Sequence, residues 1–339
     1  MKKLLMMIGA AAVAVGANAA TQPATNTVDG VKWQFRIDTD TRTASLGLNI
    51  GNSYASEAAI LSSIAGASVR IPSSFAVDGV DYEVTNADNR SFYGLTMKSL
   101  IAPETINRWG DYAFRTVTTL QNLYLRGPAV GTIEVTFYNA SFNDNTGFKY
   151  ILIDPTVRPR WKQNFKLGGS SGATIFAPRT GWDGMDSTIG GSDNRVVYYG
   201  AGEELDITVN ASANTLTATP ATANALTNIL NAVAVFKEEF GLDTKINITN
   251  AFEIGEGLIT AENMQYATFN SLMFKVTTQA QFDSILAAVP ASVPLAIDAS
   301  DAKAEIVSPR GRKVYALISD EGRNGKYTPK IVGTIISFY

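Results

Sequence analysis

The side chains that could do chemistry in this chain are few, and their spacing singles out none of them. Ser300-Asp301-Ala302-Lys303 has the S-x-x-K spacing that sets a lysine base beside a serine nucleophile, and Ser192-Asp193-Asn194 supplies an S-D-N tripeptide. In acyl-transfer chemistry of that kind the S-x-x-K comes first and a K-T-G follows. Here the order is reversed and K-T-G is missing. A carboxylate pair can hydrolyse a glycosidic bond without histidine, and Asp183 with Asp186 beside Trp182, or Glu253 with Glu256, are nominal candidates. Nothing in their spacing separates them from surface acids. Asn143-Asp144-Asn145 with Gly147 starts like a calcium loop but lacks the loop's frame and its closing glutamate. Gly255-Glu256-Gly257 lacks the third glycine of a dinucleotide loop.

Two absences weigh more than these matches. The chain of 339 residues has no histidine and no cysteine. The commonest general base and zinc ligand are therefore gone, along with every disulfide, thiolate metal site and cysteine nucleophile. No enzyme, cofactor or metal centre is expected. The formal charge is −3, and loss of Lys2 and Lys3 with a leader would make it −5. Nucleic-acid binding needs a basic face; the short runs Arg158 to Lys162 and Arg310 to Lys313 read as solvated surface.

Lys2-Lys3, the apolar run Leu4 to Val15 and Ala17-Asn18-Ala19 have the layout of an export signal with a small-x-small cleavage site. Residues 1–19 are thus expected to be removed after Ala19. No later run reaches the ~18 apolar residues of a spanning helix, so the expected location is secreted, cell surface or periplasm.

The elements that would carry a function repeat. Val69-Arg70-Ile71-Pro72, Leu100-Ile101-Ala102-Pro103, Leu123-Tyr124-Leu125, Ile151-Leu152-Ile153 and Ile175-Phe176-Ala177-Pro178 begin 31, 23, 28 and 24 residues apart. Such periods belong to solenoids whose repeats cannot bury a core alone. Phe92, Phe114, Phe142 and Phe165 recur between the phrases at spacings of 22, 28 and 23.

Trp109-Gly110-Asp111-Tyr112-Ala113-Phe114 followed by Leu120-Gln121-Asn122-Leu123-Tyr124-Leu125 resembles the BspA-type leucine-rich repeat of bacterial surface proteins. The four phenylalanines match that family's phenylalanine, and Ile71-Pro72 and Ala102-Pro103 match its strand end. Val117 and Asn145 stand at the family's cysteine position. The resemblance covers about residues 30–200. It implies a non-enzymatic secreted or surface protein associated with adhesion and with host or matrix contact.

The resulting expectation is a mainly β chain. Residues 20–66 form a mobile lead-in and an N-terminal β-hairpin cap from Val31–Ile37 and Thr43–Ile50. Residues 67–200 form a short leucine-rich-repeat solenoid ending with a strand at Val196 to Tyr199. Residues 203–339 form an α+β domain of unrecognised family with two helices on one sheet face. Strand alternation turns Leu123 and Leu125 inward. It gathers Arg70, Ile101, Tyr124, Leu152 and Phe176 in one outer column, with Tyr150 beside it. An exposed apolar patch marks an interaction site, so this column is the candidate surface for a protein, matrix or glycan partner, unless the C-terminal domain covers it. A structural or assembly role in the bacterial envelope is the alternative function, and a carbohydrate-active enzyme a more distant one.

Overall fold

The computed structural model describes residues 21–48, 58–138, 142, 145–160, 172–183, 194–249, 252–253, 258–289, 295–299 and 314–317. The leader, Phe165, the S-x-x-K serine and the apolar tail Val332 to Tyr339 lie outside them. The described part is mainly β, in three sheets.

The first sheet holds the repeated phrases. Strands β4 (Ser68–Arg70), β7 (Ser99–Ala102), β9 (Asn122–Leu125), β11 (Tyr150–Ile153), β13 (Thr174–Pro178) and β14 (Arg195–Tyr199) lie side by side in that order, all parallel. Their registers align Val69, Leu100, Leu123, Ile151, Ile175 and Val196 across the sheet.

Of the second sheet, the sequence pattern shows only the N-terminal hairpin. The sheet runs β1 (Thr21–Val28), β2 (Val31–Asp38), β3 (Thr43–Leu46), β6 (Val80–Ala87), β8 (Arg108–Trp109), β10 (Ile133–Phe137) and β12 (Val157–Arg160), with β5 (Ser74–Val77) on β6. The expected hairpin is present as β2 and β3, with Phe35 opposite Leu46. The lead-in is not loose: β1 pairs with β2 along its whole length, Thr21 opposite Asp38 and Val28 opposite Val31. Asp29 and Gly30 make that turn at positive φ.

A core fills the space between these two sheets. Leu100, Leu123, Ile151 and Ile175 enter it from one side, and Val84, Trp109, Val135 and Val157 from the other. Phe92, Phe114 and Phe142 form a stack through it, with ring centroids 4.7 and 4.6 Å apart. Successive turns of chain approach closely there. A Cβ on Gly147 would lie 2.1 Å from the Thr118 carbonyl oxygen, and one on Gly110 would lie 2.5 Å from the Asn89 nitrogen. Asn145 is buried, with its amide oriented to donate to the carbonyls of Phe114 (2.8 Å) and Val117 (3.2 Å). It bonds one turn of the chain to the one before. Trp182 closes the β12 edge: its Nε1 donates to Val157 O at 3.0 Å, in a kinked turn where Gly181 adopts φ 83°.

The third sheet is formed by β15 (Leu205–Asn210), β16 (Thr215–Pro220), β17 (Asp243–Asn247), β19 (Ala267–Lys275), β20 (Leu295–Asp298) and β21 (Val314–Leu317), with β18 (Phe252–Glu253) also on β19. After the β15–β16 hairpin every described pairing is parallel. Helices α1 (Ala223–Glu238), α2 (Ala261–Met264) and α3 (Gln279–Ala288) occupy the crossovers and touch in sequence. A proline can open a helix at its first position, and Pro220 stands just ahead of α1, but it does not do so here. It ends β16, and Thr222 caps the helix by accepting from Ala225 N at 3.2 Å. Gly241, at φ 71°, stops it, and Leu242 N donates to Phe236 O at 2.8 Å. The capping box at α3 is present between Thr278 and Gln281.

Candidate functional site

The outer face of the first sheet carries two parallel columns, because residues two apart on a strand share a face. Ser68, Ser99, Asn122, Tyr150, Thr174 and Arg195 align in a polar column at the strand starts. Arg70, Ile101, Tyr124, Leu152, Phe176 and Val197 align in the apolar column expected from the sequence, extended by one strand.

The apolar column is not a free surface. Ile101, Tyr124, Leu152 and Phe176 are between 0% and 4% exposed and belong to one core with α1 and the third sheet. Phe236 meets Phe176, and Phe240 lies 5.4 Å from the Tyr124 ring. Arg70 is exposed at the end of the column, where its Nη2 donates to Phe240 O at 3.3 Å; partial burial and the nearby Arg126 guanidinium pull its pKa down. Tyr150 is half-buried, and its hydroxyl donates to Asn231 O at 2.8 Å.

Helix α1 fits between the sheets by composition and length. Ala225, Leu226, Asn228, Ile229, Leu230, Ala232, Val233 and Phe236 are buried, a band too wide for contact with a single face. At one end Asn224 Oδ1 accepts from Arg195 on β14 at 2.8 Å, and just past the other end Glu239 accepts from Ser68 on β4. The helix thus spans all six strands. Six strands at the usual spacing are about 24 Å across, and the 16 residues of α1 rise about 24 Å.

Burying four large side chains is worth about 1.5–3 kcal/mol each. Together that is on the order of the whole stability of a domain, about 5–15 kcal/mol. Release of the column would therefore cost on the order of a domain's stability. The column serves as core, and the interaction surface expected there has to be withdrawn. The sequence carried a sign of this: Leu-Ile-Ala, Leu-Tyr-Leu, Ile-Leu-Ile and Ile-Phe-Ala are unbroken apolar runs, as strands covered on both faces are.

Polar groups fix the two ends of this contact. Glu239 receives Ser99 Oγ at 2.7 Å together with bonds from Ser68 and Lys98, and Ser99 in turn accepts from Asn122 Nδ2 at 3.0 Å. A carboxylate at a helix C-terminus faces the negative end of the dipole, and burial pushes its pKa up. The Lys98, Ser68 and Ser99 bonds outweigh burial and hold it below the ordinary glutamate value. At the far corner of the apolar column Tyr124 Oη donates to Asp154 Oδ2 at 3.4 Å, and Tyr199 Oη donates to Ile153 O. Burial pushes both tyrosines up, with the Asp154 charge adding to it. It raises Asp154 as well, against the bonds Asp154 accepts from Thr156.

The remaining candidates do not gather. Asp183 is exposed beside buried Trp182, and Asp186 lies outside the described residues. Glu253 is occupied at the start of α3, accepting from Thr277 Oγ1 at 3.2 Å and Gln281 Nε2 at 3.0 Å, while Glu256 lies outside the described residues. Asn145, the described member of the calcium-like triplet, spends its amide on backbone carbonyls. Among the described residues no group of three acidic side chains is placed to hold a metal ion, and no helix is long and apolar enough to cross a membrane.

No family model and no curated protein matches the chain. Among solved structures it is similar to the crystal structure of a leucine rich cell surface protein from Faecalibacterium prausnitzii A2-165, at 12% identity and a TM-score of 0.24, over 87% of this chain and 85% of that one.

Proposed function

We propose that this chain is a secreted or cell-surface binding protein, not an enzyme, built on a short leucine-rich-repeat solenoid to which the C-terminal α+β unit is fixed. The observation that supports it is the in-register stacking of the repeated phrases over the Phe92–Phe114–Phe142 stack, which places equivalent side chains of successive turns in columns. Columns of this kind suit recognition of an extended partner. With the apolar column occupied by α1, binding falls to other faces. Arg108 lies 4.5 Å over the Tyr138 ring and Arg115 lies 5.0 Å over Tyr112. Arginine and tyrosine are the residue types enriched in binding hot spots. The absence of histidine and cysteine also favours binding over catalysis.

Two measurements test the reading. N-terminal sequencing of the exported protein should begin at Ala20. Purified protein should bind matrix proteins or glycans saturably, and Arg108→Ala with Arg115→Ala should weaken that binding while the circular dichroism spectrum stays unchanged. Retention of the protein in the cytoplasm, or an absence of saturable binding, sinks it. The fixed C-terminal unit favours one second reading, a structural component of the envelope; its mark would be co-purification with an envelope assembly and no binding to external ligands.

A further inference from the structure

A cavity of about 210 Å³ opens where β14 meets the first turns of α1, beside the turn at Gly200–Leu205. That is the space of about seven liquid waters. It is large enough to seat one pyranose ring. Arg179, Arg195, Glu203, Glu204, Asn224 and Asn228 supply its polar wall.

Asn228 is the informative member. It is 6% exposed, in the second turn of α1, on the side turned to β14. Its carboxamide has no hydrogen-bond partner among the described residues. Its amide atoms are not among the fully enclosed polar atoms left without a partner; they open onto the cavity, to which they can offer two donors and an acceptor.

The groups around it are already held in place. Arg179 grips Glu203 through Nε at 2.8 Å and Nη2 at 3.0 Å, and its guanidinium lies 3.9 Å over the Tyr198 ring. Arg195 Nη2 donates to Asn224 Oδ1 at 2.8 Å. Thr222 Oγ1 donates to Glu204 Oε2 at 3.0 Å. Fixed side chains lose little freedom when a ligand arrives.

The wall also selects a chemistry. Two arginines face two glutamates, so its formal charges cancel. An anion would meet Glu203 and Glu204, a cation would meet Arg179 and Arg195, and an apolar ligand would strand Asn228. A hydroxyl both donates and accepts and so satisfies each kind of group present. We propose that this cavity binds one pyranose unit of a neutral glycan. The proposal rests on the reading of the chain as an extracellular binding protein and gives that reading a ligand class.

The test uses the intact protein with D-glucose, D-galactose and N-acetyl-D-glucosamine as probes, and betaine and inorganic phosphate as charged controls. Saturation-transfer NMR and calorimetry should show at least one sugar bound with a Kd on the order of millimolar. Asn228→Leu should weaken it at least about tenfold, since a site built to bond a hydroxyl loses its selective contact. Arg195 is exposed, so Arg195→Ala carries the same test should Asn228→Leu fail to fold. No sugar binding up to about 100 mM (a concentration that reports weak ligands through stability as well), equal binding by both variants and wild type, or binding of betaine or phosphate in place of the sugars would each overturn it. Loss of the sugar site with matrix binding intact rejects this pocket alone; sugar binding without any surface or matrix binding rejects the wider reading instead.

Discussion

Phe176 and Phe236 meet edge to face, with ring centroids 5.5 Å apart and planes at 69°. The first lies on the sheet of repeated phrases and the second on the helix that covers it, so this one pair couples the two halves of the chain. Phe176→Ala should cost about 3–5 kcal/mol, the usual price of deleting a buried aromatic. It should do so in a single urea transition followed by both near-ultraviolet circular dichroism and tryptophan fluorescence. Every tryptophan of the described residues sits on the repeat side, at Trp33, Trp109 and Trp182. A fluorescence midpoint unchanged from wild type would mean that the halves fold independently.

Glu239 should make the contact sensitive to acid. Its folded pKa lies below the ordinary value of 4.5, so the stability it adds is present above that value and is lost as pH falls through the folded one. Glu239→Gln should cost about 2 kcal/mol at pH 7, the worth of hydrogen bonds to a charged group. The deficit should shrink towards zero below pH 4.5. Lys98 is 44% exposed, so its coupling to Glu239 in a double-mutant cycle should be nearer 1 kcal/mol. A deficit that stays constant across the titration would remove Glu239 as a charged anchor.

Asp154 should behave in the opposite sense. Burial raises its carboxyl above the ordinary 3.8, so the native state gains stability as pH falls through the folded pKa, the gain being complete below 3.8. Asp154→Asn does not titrate. Wild type should therefore improve relative to this variant as pH falls from 7, and thermal melts of the pair across that range read the difference directly. A widening advantage for the variant at low pH would contradict the raised value.

Gly147 tests the close stacking of the repeats. A methyl group there would sit 2.1 Å from the Thr118 carbonyl oxygen, a backbone atom that cannot swing aside. Gly147→Ala should destabilise by about 1–3 kcal/mol, as overpacking does. Gly131, with open space around its Cβ position, should cost only what its positive φ imposes, about 1 kcal/mol. Equal effects at the two positions in chemical denaturation would show that the turns are not in contact.

Much of this arrangement was legible in the chain. The register of Leu100, Leu123, Ile151 and Ile175 followed from the repeated phrases, and the Phe92–Phe114–Phe142 stack from their spacing, because both depend on local period. Beyond the β2–β3 hairpin, the far side of the second sheet was hidden because its strands show no period: β8 has two residues and β12 contains Pro159. Strand β1 was read as a polar lead-in, since Thr21 to Val28 is largely exposed and its partner β2, not its own pattern, makes it a strand. The outer column had the right members and the wrong environment. Alternation says which side chains share a face; only tertiary packing says what lies against it. Asn228 gave no signal, because an asparagine on a helix reads as surface until a sheet is placed over it.

The match between the length of α1 and the width of the six strands beneath it has a consequence for how such a chain could change. An open-ended stack of repeats can be lengthened or shortened by a unit, each copy needing only its neighbours. Here a seventh strand would lie beyond the reach of the helix, and a fifth as the last would leave Glu239 or Asn224 without its anchor. The helix acts as a ruler whose length is matched to the six strands it covers.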